Sequence, residues 1–259
     1  MFIHKDKVWR YVNAWQKSVF WVLMLFNPQL RVIMEDSLLN ALEEFRKHRH
    51  AIVAINHTSF MDALPLVAHS TFDLINRSRM TYKASLAEIP VWGKIYHYTR
   101  AFPVYFTKTD SDSFSVDRDK QAAVSARMDQ FISGDRSAEL EDGTALTIFP
   151  EGAINTKDPL TIMSIRHGTP KMLLAIAERT QRDVPILLVV QHGAWLSWPP
   201  GASMGGAAAD LRSAGKIIYM SRQKSVEENA EAMSSEMQAL LDDLKRKADE
   251  TLKSKKKDN

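Results

Sequence analysis

The chain has 259 residues, 45% apolar and 25% charged, with a net charge of +3 and no cysteine. That length carries a full hydrophobic core, and the composition is that of a globular protein rather than a disordered one. Lack of cysteine excludes disulfides, thiolate metal sites and cysteine nucleophiles, and so mild a charge gives no argument for nucleic-acid binding, although a sequence pI near 9.0 suits an anionic surface or anionic substrate.

The first predicted element is an amphipathic helix over residues 8–26. It carries Trp9, Tyr11, Trp15, Trp21 and a run of aliphatics, with Arg10 and Lys17 interspersed and Lys5 and Lys7 ahead of it. Trp and Tyr rings suit the headgroup depth of a bilayer, so the helix is expected to dock on a membrane; the competing reading packs it on the protein's own core. The apolar run Val19 to Phe26 stops at Asn27-Pro28. It is far shorter than the ~20 residues that span a bilayer, and no cleavage pattern of a secretory signal follows it.

Residues 37–49 read as a helix with Ser37 as N-cap and a basic last turn. Residues 51–55 read as a buried strand and 63–72 as a helix, which puts His57 at a strand-to-helix junction. Further strands are expected at 80–85, 101–106, 144–150, 184–190 and 216–220, and helices at 89–98, 115–133, 171–180 and 225–253. Residues 108–119 and the Gly/Ala/Pro-rich 199–209 read as loops, and 253–259 as a solvated basic tail. Strand and helix alternate over 37–220. That predicts an α/β fold with a largely parallel central sheet flanked by helices, an N-terminal docking helix and a long C-terminal helix. The expected organisation is a docking segment at 1–36, an α/β domain at 37–222 and a C-terminal helix with its tail at 223–259. Neither a dinucleotide-type nor a Walker-type glycine loop occurs.

Two short stretches carry the chemistry. A neutral imidazole is the usual general base near pH 7, and a carboxylate on its second nitrogen fixes the tautomer and supports the imidazolium. His57 and Asp62, separated by a bend, fit that pairing. Phe149-Pro150-Glu151-Gly152 closes a second apolar strand with a carboxylate and a residue that lets backbone approach closely. Carboxyl ends of parallel strands are where α/β sheets bind ligands.

Together these stretches resemble the glycerolipid acyltransferases, the 1-acylglycerol-3-phosphate acyltransferase-like superfamily. Asn56-His57-Thr58-Ser59-Phe60-Met61-Asp62 is similar to the family's NHxxxxD block, and Phe149 to Gly152 to its FPEG block. The segment from Lys83 to Gly93, the strand at Val184-Pro185-Ile186 and the Arg166-His167-Gly168 element resemble further blocks, so the likeness covers about residues 40–195. It implies acyl transfer to a lipid hydroxyl in phospholipid biosynthesis. His57 would be general base and Asp62 its orienting carboxylate. Asn56, Lys83, Arg100, Lys108, Glu151, Gly152 and Arg166 would bind substrate. Acyl-CoA or acyl-ACP is the implied co-substrate, with neither metal nor other cofactor. The implied partners are a lysophospholipid acceptor and the bilayer surface, with no nucleic acid; the protein would be monotopic, on the cytoplasmic face.

The likeness departs on the acceptor side. Tyr105-Phe106 stands where the family carries Asp-Arg, leaving Lys108 and Arg100 as the nearby cations, and Ala153-Ile154 replaces a hydroxyl and a frequent cation. Lys binds phosphate as a point charge without the bidentate fork of Arg. The acceptor therefore stays open between lysophosphatidate, another lysophospholipid and a non-phosphate alcohol. A non-catalytic lipid-binding relative, and a hydrolase using Ser59 as nucleophile, are the remaining readings.

Overall fold

A computed structural model of the chain describes residues 8–25, 30–59, 62, 66–67, 72–108, 114–133, 143–197 and 209–257. Nine strands and eight α-helices lie among them, with one short 3-10 helix at Ala84–Glu88. In chain order they are α1 (Val8–Leu25), β1 (Leu30–Met34), α2 (Asp36–Arg46), β2 (His50–Ile55), α3 (Phe72–Arg77), β3 (Ser78–Lys83), α4 (Pro90–Tyr98), β4 (Phe102–Val104), β5 (Phe106–Lys108), β6 (Phe114–Val116), α5 (Arg118–Ser133), β7 (Thr144–Ile148), α6 (Gly168–Thr180), β8 (Val184–His192), α7 (Ala194–Ser197), β9 (Ala209–Met220) and α8 (Val226–Lys257).

Seven strands form one sheet in the order β1-β9-β8-β2-β7-β3-β4. Strands β8, β2, β7, β3 and β4 run parallel, whereas β9 is antiparallel to β8 and carries β1 parallel to itself. The sheet is therefore largely parallel, as expected. β2 lies at its centre and all of Ala51 to Ile55 is buried, because helices cover both faces. Alternation along β2 sorts its side chains into two cores. Ile52 and Ala54 join α5, α6 and α8 on one face, while Ala51, Val53 and Ile55 join α2 and α3 on the other. Met233, Met237, Leu241 and Leu244 put the apolar stripe of α8 into the first core.

Several boundaries differ from the sequence reading. Strand β1 was not expected: its short Leu-Arg-Val-Ile-Met run has no internal alternation to mark it and owes its form to the neighbouring β9. The strand expected at 101–106 is two strands, β4 in the main sheet and β5 in a separate antiparallel hairpin with β6. That hairpin occupies part of the expected loop at 108–119. α2 begins before Ser37, so the hydroxyl is not its cap, and α8 runs on to Lys257 through the expected tail. Strand β9 starts at Ala209, well ahead of 216, because β8 supplies partners from Met220 back to Arg212 and β1 supplies them from Ser213 back to Ala209. The loop expected at 199–209, apart from Ala209, and most of the helix expected at 63–72 lie outside the described residues.

α1 packs against α3 and α4, and the Asn13 side-chain amide donates to the Ile75 carbonyl at 3.2 Å. Its other face leaves Tyr11, Trp15 and Val22 exposed. Among the described residues no helix is long and apolar enough to cross a membrane.

Candidate active site

The register places the two chemical stretches side by side. Ala54 of β2 pairs with Ile148 of β7, so His57 and Phe149–Gly152 leave neighbouring strands at one carboxyl edge. The chain turns sharply after Asn56, and the turn is held by Asp62. That carboxylate is fully buried; Oδ2 accepts the main-chain N–H of Thr58 at 2.7 Å and of Ser59 at 2.9 Å, and Oδ1 accepts the Thr58 hydroxyl at 3.2 Å. The same Oδ2 lies 2.9 Å from His57 Nδ1. An acceptor-only carboxylate there selects the Nδ1–H tautomer and leaves Nε2 with its lone pair. Burial pushes the Asp62 carboxyl above the ordinary carboxylate range, and the hydrogen bonds from His57, Ser59 and Thr58 oppose that shift without cancelling it.

The imidazole is stacked on Phe149, with ring centroids 4.1 Å apart and planes 22° from parallel. One face of the ring is thereby fixed, one edge is tied to Asp62, and about a fifth of the side chain remains exposed. Ser59 has no exposed surface. A buried hydroxyl is poorly placed to attack a substrate while the neighbouring imidazole faces outward, which disfavours the hydrolase reading.

Both oxygens of the Glu151 carboxylate are engaged by main-chain N–H groups. Its Oε1 accepts the main-chain N–H of His57 at 2.8 Å and its Oε2 that of Met163 at 2.8 Å. The residue is 1% exposed. Burial raises its carboxyl above the ordinary value, against the two N–H bonds and the His57 charge. Asn56 is also engaged: its amide donates to the Gln191 carbonyl and accepts the Gln191 N–H. Gly152 takes a positive φ of 73°, and a Cβ built there would lie 2.9 Å from Arg166 Cγ. Arg166 crosses this turn, its main-chain N–H donating to the Pro150 carbonyl and Nε reaching the Glu151 carbonyl at 3.4 Å.

The cations divide. Lys83 is the exposed last residue of β3, the strand beside β7, so it stands at the same edge as His57. Arg166 joins it through the Gly152 turn. Arg100 instead stands ahead of β4, in a left-handed turn with φ 55°, at the amino end of that strand. Lys108 ends β5 in the separate hairpin, opposite Phe114. Among the described residues no group of three or more His, Cys, Asp and Glu is arranged to hold a metal ion.

Three contacts of the site were not foreseen from the sequence. Phe149 stacks on the His57 ring, Asn155 donates its main-chain N–H to the His57 carbonyl at 2.6 Å, and Gln191 receives Asn56. Each acts through proximity across the sheet; only Phe149 lies within a motif.

The family model described as Acyltransferase matches residues 38–192. No curated protein matches the chain. Among solved structures, the fold is similar to the crystal structure of the 1-acyl-sn-glycerophosphate (LPA) acyltransferase PlsC from Thermotoga maritima, at 19% identity and a TM-score of 0.58 over 93% of this chain and 81% of that one.

Proposed function

The chain belongs to the acyltransferase family, and we propose that it moves a fatty acyl group from acyl-CoA or acyl-ACP to the free hydroxyl of a lysophospholipid. The first candidate acceptor is 1-acyl-sn-glycerol 3-phosphate, giving phosphatidic acid. The observation that carries the reading is the His57–Asp62 pair, held at the carboxyl edge of the sheet with Asp62 on Nδ1 and Phe149 under the ring. In this scheme His57 Nε2 takes the hydroxyl proton as the oxygen attacks the thioester carbonyl. The tetrahedral intermediate collapses with cleavage of the C–S bond, and the imidazolium returns the proton to the leaving thiolate. Asp62 lowers the cost of the imidazolium that forms between the two steps.

The acceptor phosphate is assigned to Lys83 and Arg166, the two cations of the predicted set that share the edge with His57. The PlsC likeness supports a lysophosphatidate acceptor at the level of fold. A different lysophospholipid or a non-phosphate alcohol is the second reading, favoured by Tyr105-Phe106 and Ala153-Ile154 in place of the family's cationic and hydroxyl positions. The protein is proposed to dock on a bilayer at its cytoplasmic side, where both donors are found. Tyr11, Trp15 and Val22 support this, because their spacing of four and seven residues makes one stripe along α1 and all three are exposed.

The test is a panel of lysolipid acceptors with labelled acyl-CoA and acyl-ACP, run beside His57→Ala. Product with a lysophosphatidate acceptor, lost in His57→Ala, is the expected result. Failure to acylate any lipid hydroxyl, or near-full activity of His57→Ala, overturns the reading.

A further inference from the structure

We propose that Glu151 and Asn155 are positioning residues that clamp the His57 peptide from both sides, and that the acceptor does not touch the Glu151 carboxylate. The inference rests on the reading above that His57 is the base.

The geometry is specific. The His57 main-chain N–H donates to Glu151 Oε1 at 2.8 Å, and the His57 carbonyl accepts the Asn155 N–H at 2.6 Å. Both polar groups of one residue's backbone are thus held by one loop, the segment that follows β7. That loop is itself braced. Glu151 Oε2 accepts Met163 N–H, closing the segment between 151 and 163 on the same carboxylate. The buried Asn155 amide donates to the Asp158 and Thr161 carbonyls at 2.6 and 2.7 Å and accepts Asp158 N–H at 3.1 Å. Each Glu151 oxygen therefore has a main-chain donor, and the residue has almost no surface for a substrate hydroxyl to approach. A carboxylate buried at this cost and aimed at two peptide groups fixes backbone, and through backbone the Cα–Cβ vector that carries the imidazole.

The Asp62 bond and the Phe149 stack constrain the ring's rotation. They do not fix where its Cα stands. Proton transfer from a bound hydroxyl demands placement to a few tenths of an ångström, and a 1 Å displacement costs about a hundredfold in rate. The clamp supplies that placement.

Glu151→Gln is the first variant. Gln has one acceptor oxygen and one NH₂ group, so one of the two N–H donors must face another donor. Asn155→Ala is the second; it leaves the Glu151 carboxylate in place but removes the bonds that hold the loop carrying the Asn155 N–H. Both are assayed with 1-acyl-sn-glycerol 3-phosphate and acyl-CoA, and the His57 Nδ1–H and main-chain N–H resonances are followed by NMR. We expect kcat to fall about a hundredfold in Glu151→Gln and about tenfold in Asn155→Ala. KM for the acceptor should stay within about twofold in both, and both His57 resonances should shift. A raised acceptor KM with kcat retained, or unshifted His57 resonances in either folded variant, overturns the proposal. If the parent acylates no acceptor, the functional reading fails, while the resonances still decide whether the clamp exists.

Discussion

Asn56 and Gln191, 135 residues apart, hold each other by two hydrogen bonds: the Asn56 amide donates to the Gln191 carbonyl at 3.1 Å and accepts its N–H at 2.8 Å. The side chain thus extends the β2–β8 ladder past the point where β2 itself leaves the sheet. Immediately beyond it the backbone turns and presents His57. Asn56→Ala leaves a buried N–H and a buried carbonyl unpaired. We expect a loss of about 2–3 kcal/mol in stability, read by urea unfolding. Unchanged stability with a raised acceptor KM would return Asn56 to the role of substrate ligand.

Asp62→Asn should separate the charge from the shape of the turn. The amide oxygen can still accept the Thr58 and Ser59 N–H groups, so the fold is kept. The carboxylate that supports the imidazolium is gone, and kcat should fall on the order of a thousandfold. Circular dichroism and steady-state kinetics check the two halves; a loss under tenfold would remove Asp62 from the proton transfer.

Gly152 adopts a backbone conformation that an L side chain resists, and Arg166 fills the space beside it. Gly152→Ala should cost about 1–2 kcal/mol and lower activity by displacing the Glu151 turn. Gly152→Asn, whose side chain tolerates the left-handed region better, should be milder at the backbone but still crowd Arg166. Thermal melts of the pair decide between backbone strain and crowding as the larger effect.

Glu35 ties the start of α2 to β9 and α8. It accepts Arg212 at 2.8 Å and Lys247 at 2.9 Å. Burial alone would raise its carboxyl, but the hydrogen bonds and charges of Lys247 and Arg212 outweigh that and hold it below the ordinary value of 4.5. A depressed carboxyl stabilises the fold above its unfolded pKa and loses that contribution as pH falls through the folded one. Glu35→Gln is therefore expected to destabilise the protein by about 2 kcal/mol at pH 7, with the difference from the parent shrinking as pH falls below 4.5. Urea unfolding at pH 7, 5 and 4 measures it; a pH-independent difference would mean the ion pairs are not its source.

Trp15→Glu combined with Tyr11→Glu tests bilayer docking without disturbing the buried side of α1, where Asn13 reaches α3. Binding to anionic vesicles should drop by more than tenfold in a sedimentation assay, while turnover of a micellar short-chain acceptor stays near the parent's. Equal vesicle binding would mean that the stripe is ordinary surface.

The nature of the fold and the His57–Asp62 pair were legible along the chain because both are written in local pattern. A buried strand shows as a continuous apolar run, as at Ala51 to Ile55, and a helix as a periodic stripe, as in α8. His57 and Asp62 share a five-residue turn, so their contact needed no tertiary knowledge. β1 and the β5–β6 hairpin were not legible, since three to five residues carry too little periodicity and their form comes from the strand they meet.

The sequence by itself determined the α/β alternation, the pairing of His57 with Asp62, and the family to which they belong. Only the tertiary structure decided which groups the remaining motif residues meet. Glu151 meets the His57 backbone across 94 residues and Asn56 meets Gln191 across 135. Such contacts depend on which strands become neighbours and in what register. A carboxylate or an amide at a strand end is chemically ready to bind a substrate or to brace a backbone. The folded chain sets peptide groups beside both, the N–H groups of His57 and Met163 at Glu151 and the N–H and carbonyl of Gln191 at Asn56.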